Sequence, residues 1–295
     1  MRRFKRVGVL MGGPSAERDV SLRSGAAVAT GLRTAGYEVV EVDVTDTRLE
    51  LPPGIEAVFI ALHGTFGEDG GVQRQLVELG IPFTGADEAA SRLAFDKIRS
   101  KERFAEAGIP TPAFEVVTRG GRRSLPLPVV VKPSRQGSSI GIHRVETESE
   151  WEDCMEDALR YDDEVLVEAY IAGRELTVGV VVERILPVLE IRAPGGNYDY
   201  RAKYTTGLTE YLVPAPVSDA VRVDAQRLAR AVFDCLGCRG LARVDFRLDA
   251  HGHLFVLELN SIPGFTETSL LPKAARADGL DFPSLCRDIL ETASL

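Results

Sequence analysis

Between Gly240 and Leu271 the chain reads GLARVDFRLDAHGHLFVLELNSIPGFTETSLL, and two runs of strict apolar/polar alternation in it flank Ala250-His251-Gly252-His253. Side chains on a strand point alternately to its two faces, so this stretch is restricted to a β-hairpin with one buried side. With those four residues as the loop, Asp249 faces Leu254 and every later pair follows in the same register. Asp245 then lies opposite Glu258, and Arg243 opposite Asn260. The other side pairs Leu248 with Phe255, Phe246 with Leu257 and Val244 with Leu259, an apolar face fit to seat on a core.

Directly opposed carboxylates have Cβ atoms only about 5 Å apart and repel, which disfavours the pairing unless a cation sits between them. Hard oxygen ligands suit Mg²⁺, which takes one or two protein carboxylates and fills its remaining positions with water and substrate phosphates. The hairpin therefore reads as a Mg-nucleotide site. The alternative from pattern alone is a solvated polar face on which Arg243 pairs with a carboxylate.

At 295 residues the chain exceeds the usual size of a single core, so two or three domains are expected. A net charge of −9 argues against a nucleic-acid partner, because phosphate binding needs a basic surface. No run approaches the ~20 apolar residues of a membrane span, and the N-terminus enters a strand, so a cytoplasmic protein is expected. Four cysteines are too few for a disulfide framework, and the Cys235–Cys238 pair has no second pair or His cluster to make a metal site, so it reads as packing.

Arg6–Leu10 is an apolar strand running into Gly12-Gly13-Pro14-Ser15-Ala16-Glu17. A helix over Asp19–Ala35 and a strand over Tyr37–Val44 follow, which makes the opening a βαβ unit. Its turn is not GxGxxG, so a dinucleotide fold is not indicated. Glu17 falls where strand gives way to helix, in the crevice where α/β sheets bind ligands, although such a glutamate is also a common helix-start charge. A third strand, Ala57–Leu62, leads to His63-Gly64-Thr65-Phe66-Gly67-Glu68, a second contributor to that crevice. Ile81–Gly85 reads as the last strand of this sheet, Asp87–Ala107 as one helix and Arg184–Arg192 as one strand. The pattern divides the chain into 1–90, 91–174 and 175–295.

Val129–Pro133 is a buried strand ending in Lys132-Pro133, followed by Ser134-Arg135-Gln136-Gly137-Ser138-Ser139-Ile140-Gly141. Small side chains, free N–H groups and hydroxyls let such a turn fold over phosphate oxygens, and Lys132 adds a point charge; it is not GxxxxGK[ST], so it is no P-loop. Gly195–Gly207, rich in Gly, Tyr and Lys, has the make-up of a mobile lid.

Five stretches in this order, GGPSAERDVSLRS (12–24), Leu62–Gly71, KPSRQGSSIG (132–141), YDYRAKY (198–204) and ELNSIPGFTETSL (258–270), resemble the D-alanine:D-alanine ligases of the ATP-grasp superfamily over nearly the whole chain. The resemblance implies an N-terminal α/β domain with a parallel sheet, then two α+β domains that sandwich ATP. It implies ligation of two D-alanines through an acylphosphate for peptidoglycan precursors, with Mg²⁺ or Mn²⁺, and a homodimer. Lys97 and Lys132 would face the phosphates, with Ser139 and Lys203 also at the nucleotide. Glu168, Tyr170 and Ile171 would line the adenine slot, and Glu175 would meet the ribose. Asp245, Glu258 and Asn260 would hold two Mg²⁺ ions.

By the same resemblance, Glu17 would bind the first D-alanine's ammonium group, with His63 beside it, and Ser269 and Leu270 would receive the second D-alanine's carboxylate. Arg243 and the Gly264 N–H would stabilise the oxyanion, which sets Arg243 apart from an ion pair with its neighbours. Ser138 and Tyr204 would close over the site with Glu17. The chain departs from the family pattern at Gln136, Ser261, Phe265 and Tyr170, where glutamate, threonine, methionine and tryptophan are usual. Tyr204, where D-lactate-using relatives tend to carry histidine, favours the dipeptide. The alternatives are a ligase making D-alanyl-D-serine or D-alanyl-D-lactate, and an ATP-binding regulator without turnover.

Overall fold

The computed structural model describes residues 2–194 and 207–295. The chain opens with β1 (Arg6–Gly12), α1 (Arg18–Thr34), β2 (Glu38–Val44) and β3 (Ala57–Ile60), and these strands form a parallel sheet in the order β2-β1-β3. Val7, Val9 and Phe59 are fully buried because parallel strands are covered on both faces. Gly36, at φ +88°, ends the first crossover in the left-handed conformation that a helix C-terminus favours. The segment 81–85, expected as a strand, makes only bridges, from Phe83 to Val58 and to Ser294. Pro82 removes one donor from so short a run, and the C-terminus occupies the other edge.

Helix α2 (Gly71–Glu78) is followed by α3 (Glu88–Phe95) and α4 (Lys97–Glu106). The single helix expected over 87–107 is therefore two. Asp96 breaks it: its backbone is extended (ψ 103°), and its carboxylate accepts from the Arg99 N–H as an N-cap and from the Ser134 hydroxyl at 2.8 Å. The break ties the start of α4, and with it Lys97, to the loop after Lys132.

An antiparallel sheet of order β4-β7-β5-β6 follows, from β4 (Phe114–Val117), β5 (Val129–Pro133), β6 (His143–Val145) and β7 (Val165–Ala169), backed by α5 (Glu148–Ala158). A further antiparallel sheet runs β11-β10-β8-β12-β13, with β9 beside β8. Its strands are β8 (Arg174–Val181), β9 (Arg184–Ile185), β10 (Leu189–Arg192), β11 (Glu210–Leu212), β12 (Leu241–Leu248) and β13 (Leu254–Asn260). The one strand expected over 184–192 is split into β9 and β10, and Pro187, with no N–H for the ladder, lies in the gap. Helix α6 (Asp219–Cys235) packs its Leu228, Val232 and Phe233 face on this sheet.

The hairpin β12–β13 keeps the expected register at its far end and loses it near the loop. Arg243 faces Asn260, Val244 faces Leu259 and Asp245 faces Glu258, but Phe246 faces Val256 and Leu248 faces Leu254. Leu257 is the extra residue of a β-bulge. The buried face of β13 is consequently Leu254, Val256 and Leu259, while Phe255 and Leu257, both expected in the core, are only half-buried. The chain ends in α7 (Leu270–Ala277) and α8 (Phe282–Leu290), whose Leu285 and Ile289 share a core with Val28 and Leu32 of α1. No helix among the described residues is long and apolar enough to cross a membrane.

Candidate active site

A cavity of about 380 Å³ lies between the four- and six-stranded sheets. Its apolar part is made by Pro112, Val130, Ile142, Ala169, Ile171 and the bulged Leu257, and its polar part by Lys132, Ser139, Glu168, Glu175, Asp245 and Glu258. The bulge is what aims Leu257 into this space. Tyr170 stands at the rim between two guanidinium groups, with the Arg144 carbon 3.9 Å from its ring centroid and that of Arg247 5.6 Å away. Arg247 also donates to the Ile171 carbonyl at 3.1 Å and pairs with Glu175 at 3.4 Å. A flat aromatic edge beside aliphatic walls fits a purine base, and the cations beyond it fit phosphates.

Glu168 is 1% exposed, and its two oxygens are paired with Lys101 and Lys132. Burial pushes this carboxyl up, but the two ammonium groups outweigh burial and hold it below the ordinary glutamate range. The lysines respond differently. Burial pulls Lys101 down to about 8 despite Glu168. Burial also acts downward on Lys132, yet Glu168 and Glu258 together leave it raised. Lys101, four residues from Lys97 on the same face of α4, is a site residue that local motifs do not mark; that spacing was the available signal.

On the hairpin, Asp245 accepts from four donors. Arg243 reaches it bidentately (Nε to Oδ1 2.9 Å, Nη2 to Oδ2 2.8 Å), Thr177 donates at 2.6 Å and the Asn260 amide at 2.9 Å. The expectation that Arg243 stands apart from its neighbours is thus corrected, since residues two apart on a strand share a face and this pair is nearly buried. Glu258 faces Lys97 at 3.4 Å, and Lys97 also donates to the Gln136 carbonyl at 2.6 Å, linking α4, the hairpin and the Ser/Gly loop. Among the described residues no three His, Cys, Asp or Glu converge as a metal cage. Two opposed carboxylates and an amide at the edge of this cavity nevertheless form a hard-oxygen donor set that suits Mg²⁺ when a nucleotide supplies the other ligands.

A smaller recess, lined by Lys97, Ser138, Ser139, Glu258, Asn260 and Glu68, leads towards the first sheet. There the Ser138 hydroxyl donates to the Glu17 carboxylate across 121 residues, so the Ser/Gly loop closes onto the start of α1. Ser138 and Ser139 hold positive φ (+49° and +60°), strained values that concentrate at ligand clamps. A Cβ on Gly137 would stand 2.6 Å from Glu17 Oε2, so the loop passes directly against that carboxylate. His63 is buried below: its Nδ1 lies 3.1 Å from the Ile262 carbonyl and its Nε2 3.0 Å from the Ser24 hydroxyl, which also accepts from the Phe265 N–H. The carbonyl makes Nδ1 the donor, so both ring nitrogens serve to fasten the loop containing Gly264 to α1.

Burial, only partly offset by Glu17, lowers the pKa of His63 and keeps it neutral. A histidine depressed in the fold contributes stability that is present above its unfolded value of about 6.5 and lost as pH falls below it. Urea midpoints of wild type and His63→Gln should therefore converge on acidification. The slope will be up to about 1.4 kcal/mol per pH unit between pH 6.5 and the depressed value, and parallel curves would contradict this.

Ser269 precedes α7 as its N-cap, its Oγ 3.4 Å from a Cβ built on Gly264 and accepting from the Thr266 N–H at 3.0 Å. The Leu270 side chain packs with Leu189 and Ile191, so what it offers a ligand is its first-turn N–H. Lys203 and Tyr204, both expected at the site, lie outside the described residues.

Two antiparallel sheets enclosing a base slot, with a Ser/Gly loop over one end and a carboxylate hairpin beneath, define the ATP-grasp fold. Residues 104–291 match the family model described as D-ala D-ala ligase C-terminus. The chain is 50% identical to a D-alanine–D-alanine ligase of Syntrophotalea carbinolica, covering 99% of this chain and 97% of that one. It is 47% identical to one of Methylacidiphilum infernorum, covering 99% and 96%. The crystal structure of a D-alanine–D-alanine ligase from Bacillus anthracis complexed with ATP superposes with a TM-score of 0.87 at 31% identity, covering 98% and 97%. The VanG D-Ala:D-Ser ligase from Enterococcus faecalis gives 0.86 at 28%, covering 97% and 98%. The chain belongs to the D-alanine–D-alanine ligase family.

Proposed function

We propose that the protein uses ATP to join two D-alanine molecules into D-alanyl-D-alanine, a peptidoglycan precursor. The observation that carries this is the joining of two half-sites: the Lys97–Glu258–Asn260 recess beside the nucleotide cavity runs to the Ser138–Glu17 contact, so a phosphate and an amino acid would meet there. Lys97, Lys132 and Ser139 would hold the phosphates, Glu168, Tyr170 and Ile171 the base and Glu175 the ribose. Glu17, supported by His63, would pair with the first D-alanine's ammonium group and leave its carboxylate facing the γ-phosphate. Ser269 and the Leu270 N–H would seat the second carboxylate at the positive end of α7, and Lys203 would join the nucleotide contacts.

The first carboxylate attacks the γ-phosphorus, ADP leaves, and an acylphosphate results. The second amine then adds to its carbonyl carbon, loses a proton and expels phosphate. Arg243, held in place by Asp245, and the Gly264 N–H would stabilise the oxyanion of that addition. Asp245, Glu258 and Asn260 would hold Mg²⁺ or Mn²⁺, which when bound neutralises charge developing on the phosphates. The Ser138–Glu17 contact, with Tyr204, would exclude water that could hydrolyse the acylphosphate. We also propose a cytoplasmic homodimer, with units 1–90, 91–174 and 175–295.

The shape shared with a D-Ala:D-Ser ligase makes the second substrate the point to test. Phosphate release from ATP is measured with D-alanine alone, then with D-serine or D-lactate beside limiting D-alanine. Turnover on D-alanine alone, with no mixed product outcompeting the dipeptide, is expected. Preference for a mixed product would move the assignment to the D-serine or D-lactate ligases, and ATP binding without turnover to a regulator.

A further inference from the structure

We propose that Lys101 is a positioning residue that holds Glu168 as a hydrogen-bond acceptor in the base slot, and so sets a preference for purines that carry an exocyclic amine. This rests on the nucleotide reading above. Both lysines pair with Glu168, but they differ in freedom. Lys132 borders the cavity and can turn towards a phosphate; Lys101 does not border it, is 1% exposed, and is anchored by the Thr111 hydroxyl and, at 3.1 Å, by the Val256 carbonyl. Thr111 itself donates to that carbonyl at 2.8 Å, so the anchor is braced from two sides.

Phosphates entering the cavity compete for Lys132 and release one oxygen of Glu168 into a slot otherwise walled by Val130, Ala169, Ile171 and Leu257. A carboxylate left there without a cation would take up a proton and become a donor. Lys101 cannot follow Lys132, so Glu168 stays an acceptor at the moment the base arrives. An acceptor in a dry slot welcomes an amino group and rejects a carbonyl oxygen, because the mismatched pair leaves buried groups unsatisfied. Removing Lys101 has one of two consequences. Either Lys132 stays with Glu168 and the phosphates lose it, or Glu168 protonates and tolerates a 6-oxo purine. The phosphates draw Lys132 away, so the second prevails in the nucleotide complex, and the discrimination between amino and oxo bases narrows.

The test is calorimetric titration of the full-length protein with ADP and with IDP, alongside a melting curve for each variant. Wild type is expected to favour ADP by about tenfold or more, Lys101→Met to fall within about threefold, and Lys101→Arg to recover most of the preference. A folded Lys101→Met protein with the wild-type ADP/IDP ratio overturns the inference, as does a wild type without preference. Should Lys101→Met fail to fold, Thr111→Val, which removes one anchor, is expected to lower the ratio two- to threefold or so, and an unchanged ratio there is equally fatal. A wild type that binds neither nucleotide would instead bring down the nucleotide reading itself.

Discussion

Asp245→Asn is expected to lower turnover by roughly a hundredfold or more, the scale on which loss of one preorganised electrostatic group is felt. The substitution is nearly isosteric, yet the four groups that three residues aim at Asp245 are all donors: Arg243 Nε and Thr177 approach Oδ1, Arg243 Nη2 and Asn260 approach Oδ2. Either orientation of an asparagine amide sets its NH₂ against two of them. The orphaned donors cost about 1–3 kcal/mol of stability, and the released Arg243 no longer points where the oxyanion would form. Losing one of the two opposed carboxylates should also raise the Mg²⁺ concentration needed for half-maximal rate. Asp245→Ala goes further and strips Arg243 of its counter-charge, for which about 3–5 kcal/mol is the upper end in a nearly buried pair. Turnover within threefold of wild type at an unchanged Mg²⁺ optimum would contradict the assignment.

Gly173→Ala is expected to cost about 2–5 kcal/mol, from backbone strain and a steric clash acting together. Gly173 joins β7 to β8 at φ +144°, and a Cβ there would stand 2.0 Å from the backbone oxygen of Leu248, the last residue of β12. Neither backbone can yield without moving Arg174 and Glu175 away from Leu248 and Arg247, their partners across the ladder. The Glu175–Arg247 pair and the Arg247 bond to the Ile171 carbonyl would part, opening the base slot from below. Thermal melting should show a drop on the order of 10 °C, and KM for ATP should rise more than KM for D-alanine. A variant that melts with wild type would mean that the loop has more freedom than its geometry allows.

The site end of the hairpin was legible because alternation over Arg243–Asp245 and Glu258–Asn260 fixes which side chains share a face. Alternation says nothing about where a ladder slips. The bulge at Leu257 carries no glycine to announce it, and Phe255 and Leu257 were accordingly expected in the core. Asp96 was hidden for a similar reason: apolar spacing runs on through 87–107, and only the cap chemistry of an aspartate, completed by Ser134 from a distant strand, divides it. Lys132 and the Ser138–Ser139 turn were readable as a candidate phosphate flap from local sequence, whereas Lys97 was assigned only through the family resemblance. Lys101 was not assigned because its partners, Glu168 and the Val256 carbonyl, come together only through sheet packing. Similarly, nothing local in 270–295 tells that α8 completes the core beneath α1.

The central claim, ligation through an acylphosphate, is tested most directly with D-alanine carrying ¹⁸O in its carboxylate. One labelled oxygen should pass into the inorganic phosphate for each dipeptide formed, because the carboxylate oxygen that attacks phosphorus leaves with it. Dipeptide formed with unlabelled phosphate, or with AMP and pyrophosphate in place of ADP and phosphate, would contradict the account.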